Sequence, residues 1–329
     1  MAFCYLLALF LYLQASEQSH TVTFRRLYLS GAVASFALSI GSKETAVTLP
    51  LILLLWEALI RRRRDPDFPA AMLARHAPFW IVLVLAAAWA WNNPRYTALA
   101  QFSFELRPAW DHVLTQIHAV AFTVLLLFTP WNQNFDHDLP LFHSLTQWPM
   151  PLDLLLIFGL LTAALLLVRR VPLASFGLAW FFIQLLPTSV IPRTDVLSER
   201  NLYLPAIGFL LAFSASVLCL TEWMTTKMPR WGRVRIASAA LAIAVVVGLS
   251  FFTYQRNLLF RDRLLLWSDA AQKSPNKARP HNNLGYAYSL HGDWDRAIGE
   301  FRTAVRLDPG FILARENLRD AYLHHVGRP

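Results

Sequence analysis

Long apolar runs separated by short polar tips recur along the chain as far as residue 254, after which it turns polar and helix-patterned. The runs predict membrane spans at residues 27–41, 45–60, 78–92, 113–130, 150–168, 173–191, 202–220 and 236–254. Each is expected to be a helix, because an open strand leaves its backbone polar groups unsatisfied in lipid. Several fall short of about 18 residues, which implies a polytopic bundle whose members are shielded by neighbours or tilt little. Residues 1–13 are apolar but shorter than the ~20 that an upright span needs. They lack a basic leader and a small-residue cleavage site, and read as the end of a transmembrane helix whose beginning is missing, as in an N-terminally truncated chain.

The polar tail carries its own pattern. From Ala278 onward, Leu284, Gly285 and Tyr288 fall on one predicted helix, Ala297, Phe301 and Ala304 fall on a second, and Pro309 closes it. Small Gly285 and Ala297 let two helices approach, and Tyr288 and Phe301 fill the space between them. This spacing resembles a tetratricopeptide repeat of about 34 residues. One repeat length earlier, Trp267, Ala270 and Pro275 match a second helix; one length later, Leu318 and Tyr322 match a first helix, with Arg319 where the glycine belongs. The expected fold class is therefore all-α: a polytopic transmembrane helix bundle over residues 1–254, followed by a short repeat domain over residues 255–329. A repeat buries its core only against neighbours, so this set must lean on the membrane domain or on further chain.

Composition agrees with a membrane protein, at 56% hydrophobic and 16% charged residues in 329, where soluble domains carry about 25% charge. The net charge of +9 does not point to nucleic acid, because the basic residues cluster beside apolar runs: Arg61 to Arg64, Arg169 with Arg170, and Lys227, Arg230, Arg233 and Arg235. Such clusters hold loops on the cytoplasmic face. Placing them inside puts residues 197–205, the tip at Ser42 to Thr45 and everything after residue 254 outside. Three spans then lie between Arg64 and Arg169 where an even number is required, so one of them, with 113–130 the first candidate, is re-entrant or interfacial. The outer loops 93–112 and 131–149 depend on that choice. Cys4 and Cys219 lie in apolar segments, against a disulfide framework or a cysteine metal site.

Two polar tips carry candidate chemistry. Lys43 and Glu44 sit at the membrane boundary, where ionisable groups are costly unless paired or used. In LSERNLYLP, Arg200 and Tyr203 share a face if the following helix starts early, with Glu199 beside them near its positive end. An arginine fork and a phenol at a helix start suit a phosphate oxygen; an Arg200 to Glu199 structural pair, and a solvated Lys43 and Glu44, are the plainer readings. Asp136 and Asp138 form an acid-x-acid loop that is a candidate for a divalent metal, though such triplets are common by chance. The histidines show no zinc spacing, and no nucleotide-binding glycine loop occurs.

SKETAVTLP, then Asn92, Asn93 and Pro94, then LPTSVIPRTDVLSERNLYLPAIGF, then the repeat tail resemble, in matching order, the transmembrane and tetratricopeptide-repeat O-mannosyltransferases and their bacterial relatives. That family consists of multi-pass GT-C glycosyltransferases that use polyprenyl-phosphate sugars. The resemblance implies hexose transfer from a polyprenyl-phosphate donor to a protein or other acceptor at the outer face of a bacterial inner membrane, with the repeat domain extracytoplasmic. It implies that Arg200 and Tyr203 hold the donor phosphate, that Lys43 neutralises the leaving group, and that Glu44 and Glu199 orient these cations. In the family the catalytic acid lies in the first outer loop, which this sequence starts after, so the resemblance also implies a partial or inactive enzyme as given. Its partners would be membrane lipid, the lipid-linked sugar and a peptide acceptor on the repeats. The alternatives are a non-catalytic membrane scaffold whose repeat recruits an envelope partner and a transporter, the latter disfavoured by the absence of mid-span charges.

Overall fold

The computed structural model describes residues 1–17, 21–61, 68–227 and 232–326, and among these it contains helices and no strand. Arg62 to Arg64 and Arg230 lie outside the described residues. Six helices are long and apolar enough to cross a membrane, at Met72–Trp91, Ala109–Phe128, Met150–Leu167, Pro172–Val190, Tyr203–Met224 and Ala237–Leu259. The chain is an all-α, multi-pass membrane protein with a repeat at its C-terminal end.

Two expected elements differ from those observed. Residues 45–60 do not form one helix: a 3-10 turn over Glu44–Thr48 leads into helix α3, Leu49–Trp56, and a π turn over Glu57–Arg61 follows. Pro50 sits at the start of α3, where its missing N–H costs nothing. The expected loop 93–112 holds a helix of its own, α5, Pro94–Glu105. Pro94 stands in its first turn, and the Asn93 side chain accepts from the Arg95 N–H at 3.0 Å.

The chain divides into two compact units, the first made of Met1–Phe122, Leu141–Thr194 and Arg200–Arg230, the second of Thr123–Pro140, Asp195–Glu199 and Trp231–Pro329. In the first unit, α1, Ala2–Ser16, folds back along α2, Val22–Ser42. Tyr5, Tyr12, Phe36, Leu49, Ile52, Leu53, Phe79 and Trp180 build its core. Helices α8, Pro172–Val190, and α9, Tyr203–Lys227, pack most intimately. A Cβ on Gly177 would lie 2.4 Å from the Gly208 carbonyl, and one on Gly208 would lie 2.4 Å from the Trp180 ring. Small residues at such a crossing let the two backbones touch, the usual device of helix pairing in lipid. The Trp180 indole N–H then donates to the Leu204 carbonyl at 2.7 Å, fixing the first turn of α9 on α8.

Helix α6, Ala109–Phe128, does not run lengthwise beside α7, Met150–Leu167, as a hairpin partner would. Its first half is tied instead to residues 142–153. His143 Nδ1 donates to Asp111 at 2.8 Å, the Phe142 N–H to Thr115 Oγ1 at 3.0 Å and His118 Nδ1 to Asp153 at 2.8 Å. Residues just before and at its start reach the end of α8: His112 Nε2 donates to the Ser189 carbonyl at 2.8 Å, and Arg107 to the Arg193 carbonyl at 2.5 Å. The starts of α6 and α7 and the end of α8 therefore share one end of the first unit.

In the second unit, α10, Gly232–Leu259, leads to α11, Arg263–Lys273, α12, Ala278–Leu290, α13, Trp294–Leu307, and α14, Ile312–Val326. The boundary drawn at residue 254 runs through α10. Leu284, Gly285, Ala297, Phe301 and Ala304 are buried, Tyr288 packs against them, and Pro309 follows the end of α13. A Cβ on Gly285 would meet the Phe301 ring at 2.8 Å, which is why that position must be small. Helix α11 buries Ala270, and α14 brings Leu318 and Tyr322 against the Phe301 cluster, so the flanking partial repeats supply the neighbours that the central one needs.

Gly208→Ala should force α8 from α9 and destabilise the protein by about 1–3 kcal/mol, the usual cost of overpacking. Thermal unfolding in detergent checks this against Gly159→Ala, whose added methyl meets nothing within 4 Å.

Candidate functional site

At the end of the first unit where α8 stops and α9 starts lies a cavity of about 230 Å³. Lys43 and Arg200 supply its cations and Tyr203 a phenol; Thr45, Gln184, Thr188 and Asn201 add neutral polar groups, and Met1, Ala2, Leu204 and Pro205 complete the lining. Tips that are distant in sequence thus converge. The bond from Trp180 to Leu204 holds the start of α9 in place, and Lys43, on extended backbone between α2 and the 3-10 turn, donates to Asn201 Oδ1 at 2.6 Å.

The two cations differ in state. Burial pushes the Lys43 ammonium below the ordinary lysine value; Glu44 opposes this, and the neighbouring Arg193 and Arg200 charges add to it. Arg200 is exposed and forms no hydrogen bond or ion pair among the described residues, and neither does the exposed Tyr203 phenol. An unpaired guanidinium, a lysine and the first turn of a long helix are each groups that attract anions.

The carboxylates are committed elsewhere. Glu44 Oε1 accepts from Arg193 at 2.5 Å. Burial pushes the Glu44 carboxyl up, but its own backbone hydrogen bond and the Arg193 guanidinium outweigh this and hold it below the usual carboxylate value. Glu199 belongs to the second unit, where its Oε1 accepts from the Asn134 N–H at 2.7 Å and from His137 Nε2 at 2.7 Å. The plainer expectation of an Arg200 to Glu199 pair is therefore not what forms.

Asp136 does not stand in an open acidic loop. It is buried, with its carboxylate bonded to Lys277 on one oxygen and to Arg279 at 2.6 Å on the other, while Arg279 also reaches Asp195 at 2.8 Å. Burial lowers the Arg279 pKa, but the two aspartates outweigh it and raise the net value. Ser274 Oγ donates to the Asp136 carbonyl at 2.6 Å and accepts from Asn134 at 2.8 Å. With two cations on Asp136 and Asp138 alone at the surface, the pair does not present a metal site. No group of three or more potential ligands converges among the described residues.

Sequence reasoning missed Thr45, Gln184, Thr188 and Asn201. Gln184 could have been found as an amide inside an apolar run, since a polar group in a span is expensive unless used. It also missed a charge within a predicted span. Glu57 is fully buried, accepts from the Tyr12 phenol at 2.7 Å and lies 3.3 Å from both Arg61 and Arg75, while His76 Nε2 meets the same phenol at 2.8 Å.

A tetratricopeptide-repeat family model matches residues 278–311. Protein O-mannosyl-transferase Tmtc3 of Drosophila melanogaster is 30% identical over 146 residues, 43% of this chain and 15% of its own length. Protein O-mannosyl-transferase TMTC1 of Homo sapiens is 27% identical over 237 residues, 66% of this chain and 25% of its own. Protein O-mannosyl-transferase F38B6.6 of Caenorhabditis elegans is 26% identical over 222 residues, 66% of this chain and 30% of its own. The chain thus spans between 15% and 30% of the length of these curated relatives. No solved structure matches it. The family resemblance carried by the motif order holds: these relatives are protein O-mannosyl-transferases, and the tail of this chain matches a tetratricopeptide repeat.

Asp136→Asn should leave Lys277 and Arg279 undercompensated and loosen residues 131–140 from α12. The cost is about 2–3 kcal/mol, below that of a fully buried pair because Arg279 is 39% exposed. Limited proteolysis and thermal unfolding of the whole protein read it out, with exposed Asp138→Asn as the neutral control.

Proposed function

We propose that this relative of the O-mannosyl-transferases is a membrane glycosyltransferase that transfers a hexose from a polyprenyl-phosphate donor to a protein acceptor. The observation that carries the reading is the convergence of Lys43, Arg200 and Tyr203 on one cavity, with Arg200 unpaired. In such a transfer the acceptor hydroxyl oxygen bonds to the sugar's anomeric carbon as the bond to the phosphate oxygen breaks, and the hydroxyl proton passes to a base. Negative charge then grows on the departing phosphate, where fixed cations stabilise it most. Arg200 and Tyr203 grip the phosphate oxygens and Lys43 neutralises them. Glu44 holds Arg193, and Glu199 anchors residues 131–140 instead of touching the donor.

The cavity is below the roughly 300–1,000 Å³ of sites that enclose a whole drug-sized molecule, so it suits a headgroup whose polyprenyl tail stays in lipid. We assign the cavity to the extracytoplasmic side, opposite the basic loops near Arg61 and Arg169. The ties of α6 to residues 142–153 favour a helix at the interface over a third crossing. That leaves α4, Phe68–Trp91, and α7 as the two spans between Arg64 and Arg169, and the repeat domain on the outer side with the acceptor. The transferase names of the relatives weigh against a bare scaffold.

Arg200→Ala should lower transfer from a polyprenyl-phosphate mannose donor by about 100-fold or more, as losing one charge-stabilising donor does elsewhere, while membrane insertion stays normal. Unchanged transfer would sink the assignment. A second expectation concerns pH. Because Lys43 gives up its proton below the ordinary value of 10.5, affinity for the phosphorylated carrier should fall as pH rises through that lowered pKa. Lys43→Arg should abolish the fall, measured as carrier binding across the alkaline range.

A further inference from the structure

Besides the cations, the cavity is lined by Thr45 from the 3-10 turn and by Gln184 and Thr188 from α8, all neutral and all able to donate and accept. Gln184 is 3% exposed, and its amide closes a ring of three hydrogen bonds. Its Nε2 donates to the Tyr5 oxygen at 2.5 Å, the Tyr5 hydroxyl meets Thr48 Oγ1 at 3.1 Å, and Thr48 Oγ1 donates to Gln184 Oε1 at 3.0 Å. The Tyr5 hydroxyl then donates to Thr48, whose single proton is shared between Gln184 Oε1 and the Thr45 carbonyl at 3.1 Å. The amide keeps a second N–H and a second lone pair, in an orientation fixed by α1 and the 3-10 turn.

An independent observation points the same way. The Thr45 hydroxyl is buried, in a residue 6% exposed, and has no hydrogen-bond partner. Leaving a hydroxyl buried and unbonded is costly unless something supplies the missing bond. Thr188 donates to the Leu185 carbonyl at 3.0 Å, which leaves its oxygen free to accept. Neutral groups with both polarities match sugar hydroxyls, which donate and accept alike; phosphate only accepts, and is served by the cations.

We infer that Thr45, Gln184 and Thr188 form the subsite for the donor's hexose ring, with Tyr5 and Thr48 as positioning residues that fix the Gln184 amide. This rests on the reading of Lys43 and Arg200 as the phosphate grip. The ring's closed geometry makes the subsite selective for hydroxyl configuration, because a rigid amide cannot turn to follow a displaced hydroxyl.

The test is binding of two lipids to the whole protein in nanodiscs: a short polyprenyl phosphate, and the same lipid carrying mannose. Thr45→Val, nearly equal in shape, and Gln184→Ala should each weaken the mannose-bearing lipid by about 5- to 10-fold, the size of one lost neutral hydrogen bond, while leaving the bare phosphate lipid unchanged. Tyr5→Phe, which keeps Gln184 but opens the ring, should weaken the mannose-bearing lipid and relax the preference between mannose and glucose donors. Equal loss for both lipids, or no loss in Thr45→Val, overturns the subsite; Thr45→Val decides the matter if Gln184→Ala does not fold. Arg200→Ala separates the two claims. Weakening of both lipids by that substitution upholds the phosphate grip whatever the fate of the subsite, and weakening of neither removes the grip itself.

Discussion

Gly177 and Gly208 meet where α8 crosses α9, and neither tolerates a side chain, because the opposing backbone or the Trp180 ring already occupies the space. In lipid no hydrophobic force draws one apolar helix to another, so this contact relies on close packing, aided by the bond from Trp180 to the Leu204 carbonyl. The position of the first turn of α9 follows from it. Arg200, Asn201 and Tyr203 are delivered beside Gln184 and Thr188 of α8, and Lys43 is drawn in through Asn201. The chemistry of the cavity is therefore set by an apolar crossing a few residues away.

Polar groups inside the bundle serve a different end. Tyr5 meets Thr48 and Tyr12 meets Glu57, so α1 is bonded to residues 48–57 at two levels separated by about two helical turns. Two such rungs fix both the direction and the register of α1, which uniform apolar packing would leave free to slide. The lower rung is costly, since Glu57 Oε2 and His76 Nδ1 are buried without partners. Replacing that rung with apolar residues would relieve this cost but leave the register of α1 less defined.

The repeat and most spans were legible in the sequence because their signals are local. Gly285, Ala297 and Phe301 stand at fixed spacings whose meaning does not depend on the rest of the chain, and a long apolar run names its own surroundings. Pro50 and Asn93 also carried local signals, a helix start inside an apparent span and a cap inside an apparent loop, but the apolar run and the polar loop outweighed them. Lys43 and Arg200 were found as polar residues at membrane boundaries, although nothing nearby in sequence says that they meet. The partners of Glu199 and Asp136 were out of reach. Asn134, His137, Lys277 and Arg279 join them only through folding, and neighbours in sequence such as Glu199 and Arg200 turn to different tasks.

Helix α10 differs from the other spans in having none of its apolar stretch buried. Its candidate span covers 23 residues, about 34 Å at ~1.5 Å per residue, but Gln255, Arg256 and Asn257 lie within it, and the uncharged part before them, residues 237–254, measures about 27 Å, close to a hydrocarbon core of about 30 Å. Near its C-terminal end Arg256 pairs with Asp269 of α11 at 2.7 Å, and Phe252 meets Trp131 with ring centroids 6.3 Å apart, so this end is tied to α11 and to the 3-10 turn over Pro130–Asn132. Along the rest of the stretch the exposed side chains, Leu241, Ile243 and Val245 to Val247 among them, present an apolar surface that suits acyl chains, and the lean of such a helix follows the thickness of the bilayer. Lipid composition thereby becomes a mechanical input to the one helix that leads directly into the repeats.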